Sequence, residues 1–254
     1  MVRGISIAGT SLPVTDASIS FTKDPIREQS MSGLGGEALY KGLYGPAQGS
    51  FSAAYRPAAF KTYVQQLYTV TPSSYTIIVS DDHGNAFTST TSYITSAEIS
   101  LKAGELAKLN MGFVGMQVSA AGSVATPSDT LFGYEIPVFY NSSISSGWGV
   151  CSGFSVKIDR PYTADDYRLG GDNFYSQSIY QSGETTVSGT ITLSQIGNYN
   201  SLADATDLTF TLGTAGSITI SDAVLSGAEL GINGRGLISK TFNWAAPSDG
   251  VSVA

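Results

Sequence analysis

Few residues in this chain could do chemistry. His83 is the only histidine among 254 residues, and it sits in Asp81-Asp82-His83-Gly84-Asn85. An imidazole beside two carboxylates could hold a metal ion or move a proton. Tight hairpin turns use the same residue types, because Asp and Asn side chains bond the local backbone and Gly accepts positive φ. Apolar-polar alternation on both sides, over Tyr75–Val79 and Ala86–Thr91, makes the turn the stronger reading. A Ser-His-Asp triad would have to use His83, and no G-x-S-x-G elbow supports one. Asp165-Asp166 could serve as glycosidase carboxylates, but neighbouring acids are common in an acidic chain. Ser32-Gly33-Leu34-Gly35-Gly36 shares only its composition with phosphate-cradling loops, lacking the Gly-Lys-Ser/Thr ending and a βαβ context. Cys151 is the single cysteine, so an intrachain disulfide and a cysteine metal site are both excluded. Beside Trp148 and Val150 it reads as a core residue. The expectation is a protein without catalysis, metal or cofactor.

The chain repeats itself instead. Leu34-Gly35-Gly36-Glu37-Ala38-Leu39-Tyr40 returns as Leu169-Gly170-Gly171-Asp172-Asn173-Phe174-Tyr175. Ile19–Pro25 faces Phe154–Pro161, Ser50–Tyr55 faces Thr186–Ile191, and Glu98–Leu101 faces Glu229–Ile232. Leu106, Met111 and Phe113 face Leu237, Phe242 and Trp244. A constant order at a nearly constant offset indicates duplication. It predicts two tandem domains, 1–117 and 131–254, joined by a linker at 118–130 that is rich in Ala, Gly and Ser.

Each copy reads as all-β: a small barrel or sandwich with one covering helix. In the first copy, strands are expected over Ala17–Lys23, Ser50–Tyr55, Tyr75–Val79, Ala86–Thr91, Tyr93–Leu101 and Leu106–Gly115. Apolar residues at Phe60, Tyr63, Val64, Leu67 and Tyr68 predict an amphipathic helix opened by Pro57. In the second copy, strands are expected over Glu135–Tyr140, Trp148–Cys151, Phe154–Ile158, Thr185–Leu193, Leu208–Leu212, Ser217–Ile220, Ala223–Ile232 and Leu237–Trp244. A weaker helix is expected over Gln195–Ala205. Long Gly-rich loops are expected at Asp24–Gly49 and Asp159–Gly183, and loops of that length are usually functional.

Composition narrows the class. Charged residues make up only 13%, about half the usual share, so much of the surface is expected to be covered by other subunits. The net charge of −7 argues against a protein that grips nucleic acid through its phosphates. The first nine residues hold no long apolar run and no stretch approaches membrane-helix length, so a chain made in the cytosol with no membrane partner is expected.

Two barrels in one chain, each with a side helix, a long loop after its second strand and closing hairpins, resemble the tail tube proteins of tailed bacteriophages. The resemblance implies a structural virion protein that is not an enzyme. Three duplicated chains would form a ring of six similar barrels, and the rings would stack around a channel for genome passage. The implied partners are further copies of the chain, the tape measure, distal tail and terminator proteins, and DNA passing without specific binding. It also implies that the long loop reaches neighbouring subunits and rings. Arg27, Lys41, Asp165, Asp166 and Arg168 are then available for ion pairs, and Tyr40, Tyr44, Tyr175 and Tyr180 as contact anchors. The alternative for the loop is a fold-back onto its own barrel. Glu98 and Glu229 occupy matching strand positions. They either line the channel and repel phosphate over roughly a Debye length, about 8–10 Å, or are ordinary solvated strand residues, or pair with a neighbouring subunit's lysine. Rival readings of the whole are a ring protein at the tube end and a carbohydrate-binding β-sandwich whose tyrosines would stack on sugars.

Overall fold

The structure, a computed structural model, describes residues 2–20, 23–29, 37–44, 46–81, 83, 85–119, 123–125, 134–163, 179–196, 204–214, 216–232 and 238–254. In chain order the elements are β1 (Val2–Ile7), β2 (Thr10–Leu12), β3 (Asp16–Ser20), β4 (Lys23–Gln29), β5 (Glu37–Tyr44), β6 (Ala47–Ala54), α1 (Pro57–Gln65), β7 (Tyr75–Asp81), β8 (Ala86–Lys102), β9 (Lys108–Gly115) and β10 (Gln117–Ser119). They continue as β11 (Ser143–Ser145), β12 (Gly149–Asp159), β13 (Tyr162–Thr163), β14 (Tyr180–Gln181), β15 (Thr186–Ile196), β16 (Thr206–Leu212), β17 (Gly216–Ile232), β18 (Ile238–Ala246) and β19 (Val251–Val253). The chain is all-β.

One long strand organises each half. The first part of β8 pairs with β7 and β10, and its second part with β9. It therefore belongs to two sheets, β2-β1-β7-β8-β10 and β8-β9-β6-β3. In the same way, β17 gives its first part to β16 and β19 and its second to β18, so its sheets are β11-β16-β17-β19 and β17-β18-β15-β12. The turn from one sheet to the other is made at Thr91 (φ 47°) in β8 and at Asp222 (φ 54°) in β17. A positive φ is costly for β-branched Thr, and the corner around it is stitched together. Ser89 and Ser92, both fully buried, share a 2.8 Å hydroxyl bond. Gly115 lies beneath them, where a Cβ would stand 1.8 Å from Ser89 Oγ. Sequence reasoning placed two strands at each of these sites. The polar Thr90-Thr91-Ser92 and Ser221-Asp222 look like turns, but ladder partners hold the backbone extended on either side.

A matching row of residues crosses each half. In the first it runs Ile19–Gly49–Phe113–Ile94, and in the second Val156–Gly189–Trp244–Leu225. Both glycines leave room for an aromatic ring. A Cβ on Gly49 would meet Phe113 Cζ at 2.3 Å and Ser18 O at 2.4 Å; on Gly189 it would meet Trp244 Cζ2 at 2.5 Å and Ser155 O at 2.0 Å. Beside each row the long strand carries a bulge, between Ile94 and Ser96 in β8 and between Leu225 and Gly227 in β17. One apolar cluster fills both halves, with Phe51 against Phe60 and Phe154 stacked on Phe210 at 4.3 Å.

Helix α1 forms where expected. Pro57 stands in its first turn, and Phe60, Tyr63, Val64 and Leu67 are buried. Four expectations need correction. Much of Asp24–Gly49, expected as a loop, is a hairpin with β4 paired to β5, and within Asp159–Gly183 Tyr162 and Thr163 are strand residues paired with Gln181 and Tyr180. Val118 and Ser119, placed in the linker, are strand residues laddered to Ser89 and Thr88. Glu135–Tyr140 is not a strand: Val138 makes one isolated bridge to Leu106, and a 3-10 turn follows at Phe139–Asn141. Finally, β15 runs through Gln195 and Ile196, where a helix was expected to begin, and 197–203 lie outside the described residues. Among the described residues, no helix is long and apolar enough to cross a membrane.

Candidate assembly interface and channel face

The two halves are joined by a β-ladder. Residues Gly153–Asp159 of β12 pair antiparallel with Lys102–Ser96 of β8 in seven consecutive pairs without a bulge. Val156 lies opposite Ile99 and Phe154 opposite Leu101, all buried, so the joint carries the core from one half into the other. Burying each such side chain stabilises by about 1.5–3 kcal/mol.

Arg160 reinforces this joint, and sequence reasoning missed it. Its backbone N–H donates to Thr95 O at 2.7 Å, at the β8 bulge. Its guanidinium Nη1 donates to Gln66 O (3.2 Å) and Thr69 O (2.5 Å), and Nε donates to Gln181 Oε1 (2.9 Å). The last turn of α1 has no basic residue of its own. A cation just beyond β12 therefore satisfies carbonyls that the helix end leaves unpaired. Thr185 Oγ1 donates to Leu67 O at 3.4 Å and Gln65 Nε2 donates to Val253 O at 3.0 Å, so the helix of the first half is tied to the second at several points. The only sequence signal for Arg160 was a cation directly before Pro161, which reads equally well as surface.

Among the described residues, the joined sheet β3-β6-β9-β8-β12-β15-β18-β17 has two open edges. β3 is laddered to β6 on one side, and the 224–232 part of β17 to β18 on one side. Among the described residues, neither has a ladder partner on its other side.

The solvent face of the joined sheet is polar, with its charges gathered around the β8–β12 joint. It presents Gln48, Ser50, Ser52, Asn110, Ser96, Ser100, Ser155, Thr190, Thr192 and Thr241. Hydroxyls link its strands: Ser18 to Ser50 (3.2 Å), Ser52 to Asn110 (2.7 Å), Ser155 to Thr190 (2.9 Å) and Thr192 to Thr241 (3.3 Å). Glu98, half-buried, lies on this face opposite both Asn110 and Lys157. Lys157 itself closes on Asp159 at 2.6 Å. Glu98 thus sits in a patch where cations and carboxylates alternate, with Lys102 and Lys108 on neighbouring positions. Glu229 takes the matching place on β17, opposite Thr241.

Of the loop residues, Arg27, Tyr40, Lys41 and Tyr44 fall on the β4–β5 hairpin, with Arg27 opposite Leu39, Tyr40 opposite Ile26 and Tyr44 opposite Lys23. Tyr180 is on β14 opposite Thr163 and is 49% exposed. Asp165, Asp166, Arg168 and Tyr175 lie outside the described residues.

His83 is in the turn. Asp81 Oδ1 accepts from the backbone N–H of His83 (2.9 Å) and of Asn85 (2.8 Å), and these bonds with the Asn85 amide hold the Asp81 carboxyl below its ordinary range. Among the described residues, no three His, Cys, Asp or Glu side chains stand where they could hold a metal ion. Cys151 is half-buried and packs against the core, where burial pushes its thiol up to about 11.

This arrangement is that of a β protein whose joined sheet, among the described residues, has two open edges and one polar face. The family model for phage tail tube proteins matches residues 8–246, and the chain belongs to that family. It is accordingly a structural tail tube protein and a virion component. No curated protein matches the chain.

Proposed function

We propose that the protein is the tube subunit proper, built from two tandem barrel units at 1–117 and 131–254. Three chains close a ring of six similar units, and rings stack around a channel through which the genome passes. The observation that carries this reading is the β8–β12 ladder. It is a unit-to-unit joint already made inside one chain, between halves whose rows Ile19–Gly49–Phe113–Ile94 and Val156–Gly189–Trp244–Leu225 correspond. Repeating that joint from chain to chain uses the open edges of β3 and β17 and removes the exposed strands that would otherwise invite aggregation.

The Ser/Thr/Asn face of the continuous sheet then lines the channel. Uncharged hydroxyls offer DNA no row of cations to bind, and Glu98 beside Lys157 adds a locally balanced patch rather than bare repulsion. The β4–β5 hairpin and the segment from β13 to β14 are the arms that reach neighbouring rings and contact the tape measure, distal tail and terminator proteins.

Negative-stain microscopy of the purified protein tests the reading. Hollow tubes, or stackable rings, are expected; a globular monomer at high concentration contradicts it. Rings that never stack would favour the tube-end role instead.

A further inference from the structure

We infer that β3 of one chain pairs antiparallel with β17 of the next in the register Ile19↔Leu230. This inference rests on the ring reading above and supplies its contact at residue level. The two rows across the sheets fix the correspondence. Ile19 in β3 occupies the place of Val156 in β12, because each opposes the glycine under the aromatic ring. Ile94 and Leu225 oppose those aromatic residues, and a bulge follows each, so Ile99 of β8 corresponds to Leu230 of β17. Inside the chain Val156 opposes Ile99. Carried between chains, the same pairing sets Ile19 against Leu230, Ala17 against Ile232, Ser18 against Gly231 and Ser20 against Glu229.

The side-chain pattern supports this register. On β3, Ala17 is buried and Ile19 is half-buried against the core, while Asp16, Ser18 and Ser20 are exposed. On β8, Ala97, Ile99 and Leu101 are buried, and the matching positions of β17 are Ala228, Leu230 and Ile232. A slip of one residue would turn Ile19 and its neighbours to the opposite face. The two edges are different surfaces, so the contact is head to tail and propagates until the rotation closes a ring. The two kinds of joint also differ: Glu98 faces Lys157 inside the chain, whereas Glu229 faces Ser20 between chains.

Disulfide trapping reads the register directly. In a Cys151→Ser background, Ser18→Cys with Gly231→Cys places cysteines on opposed positions of neighbouring chains, within disulfide reach of about 4.4–6.8 Å between Cα atoms. Ser155→Cys with Ser100→Cys is the equivalent pair inside one chain. Ser18→Cys with Glu229→Cys represents a slipped register. Mild oxidation of the assembled protein is expected to give covalent species of two and three chains with the first pair, an intrachain bond with the second, and little product with the third. Crosslinking by the slipped pair instead overturns the register while leaving the ring reading intact. Assembled particles in which neither interchain pair crosslinks overturn the β3–β17 contact alone. Hydrogen exchange of the unmodified chain guards against variants that fail to fold. Segments 16–20 and 227–232 should gain protection on assembly, and rings that leave both unprotected contradict the inference. If the unmodified chain forms no ring at all, the reading beneath it fails as well.

Discussion

β8 and β17 run the same course and end differently. Each is a 17-residue strand that bends at a positive-φ residue, changes sheet and carries a bulge a few residues later. Past the bulge, β8 is covered on one side by β9 and on the other by β12, whereas among the described residues β17 is covered by β18 alone. The difference teaches where folding stops and association begins. On the proposed reading, a joint that is intramolecular for β8 is left for another chain at β17. Neither β3 nor the second part of β17 carries a Lys or Pro, the usual guards of an exposed edge. An edge without those guards is a hazard in a monomer and suits a chain that polymerises.

One substitution placed at each joint should break the comparison most sharply. Val156→Lys puts an ammonium where the side chain is 1% exposed, at a penalty of several kcal/mol, and the chain should fail to fold. Ile19→Lys, at the corresponding place on the half-buried open edge, should leave a folded chain, destabilised by roughly 1 kcal/mol, that forms no rings. Circular dichroism with sedimentation separates the two outcomes. If both variants merely lose stability and still assemble, β3 is not an interface.

The paired glycines give the next largest effect. Gly49→Ala and Gly189→Ala each push a methyl group into an aromatic ring and a backbone carbonyl. Overpacking of this kind costs about 1–3 kcal/mol, measurable by urea denaturation. Similar losses at both sites would support equivalent rows; a neutral substitution at either would count against equivalence.

Alkaline pH should separate the halves. Burial raises the hydroxyls of Tyr55, Tyr63, Tyr68 and Tyr75, all around α1, above their ordinary 10.0, and in the second half Tyr162 is raised mainly by the same cause. Cys151 is raised from 9.0 to about 11. The fold therefore binds these protons more tightly than the unfolded chain. That stability is complete below the ordinary values and is lost as pH climbs through the raised ones. Melting temperature should fall as pH rises from 9 through 11, with amides near α1 exchanging first. A melting temperature unchanged across that window contradicts the assignment.

The smallest effect belongs to the hydroxyl-lined face proposed to line the channel. Lys157→Ala removes a partly exposed ion pair with Asp159 and should change stability by less than about 1 kcal/mol. A much larger loss would mean that Lys157 is structural.

The sequence made some of this fold legible and hid other parts for physical reasons. α1 could be read because Pro57 and a 3.6-residue apolar period are local signals. The His83 turn was equally visible, since Asp81 bonds backbone only two and four residues ahead. The β8–β12 joint was not visible: an alternating strand carries no mark of which edge it will use, or of a partner some fifty residues away. The bend at Thr91 mimicked a turn for the same reason, because only its ladder partners keep the chain extended. In the sequence the β4–β5 hairpin reads as a loop, because Gly and charged residues obscure its period. The place of Arg160 beneath α1 depends on tertiary contacts that no local pattern encodes.

The stoichiometry of the ring tests the central claim most directly. Native mass spectrometry of disassembled tubes, or of rings caught before stacking, should give three times the 26.5 kDa chain mass, with six lobes in projection. A ring of six chains, or a dimer related by a two-fold axis, would contradict a joint repeated once inside and once between chains.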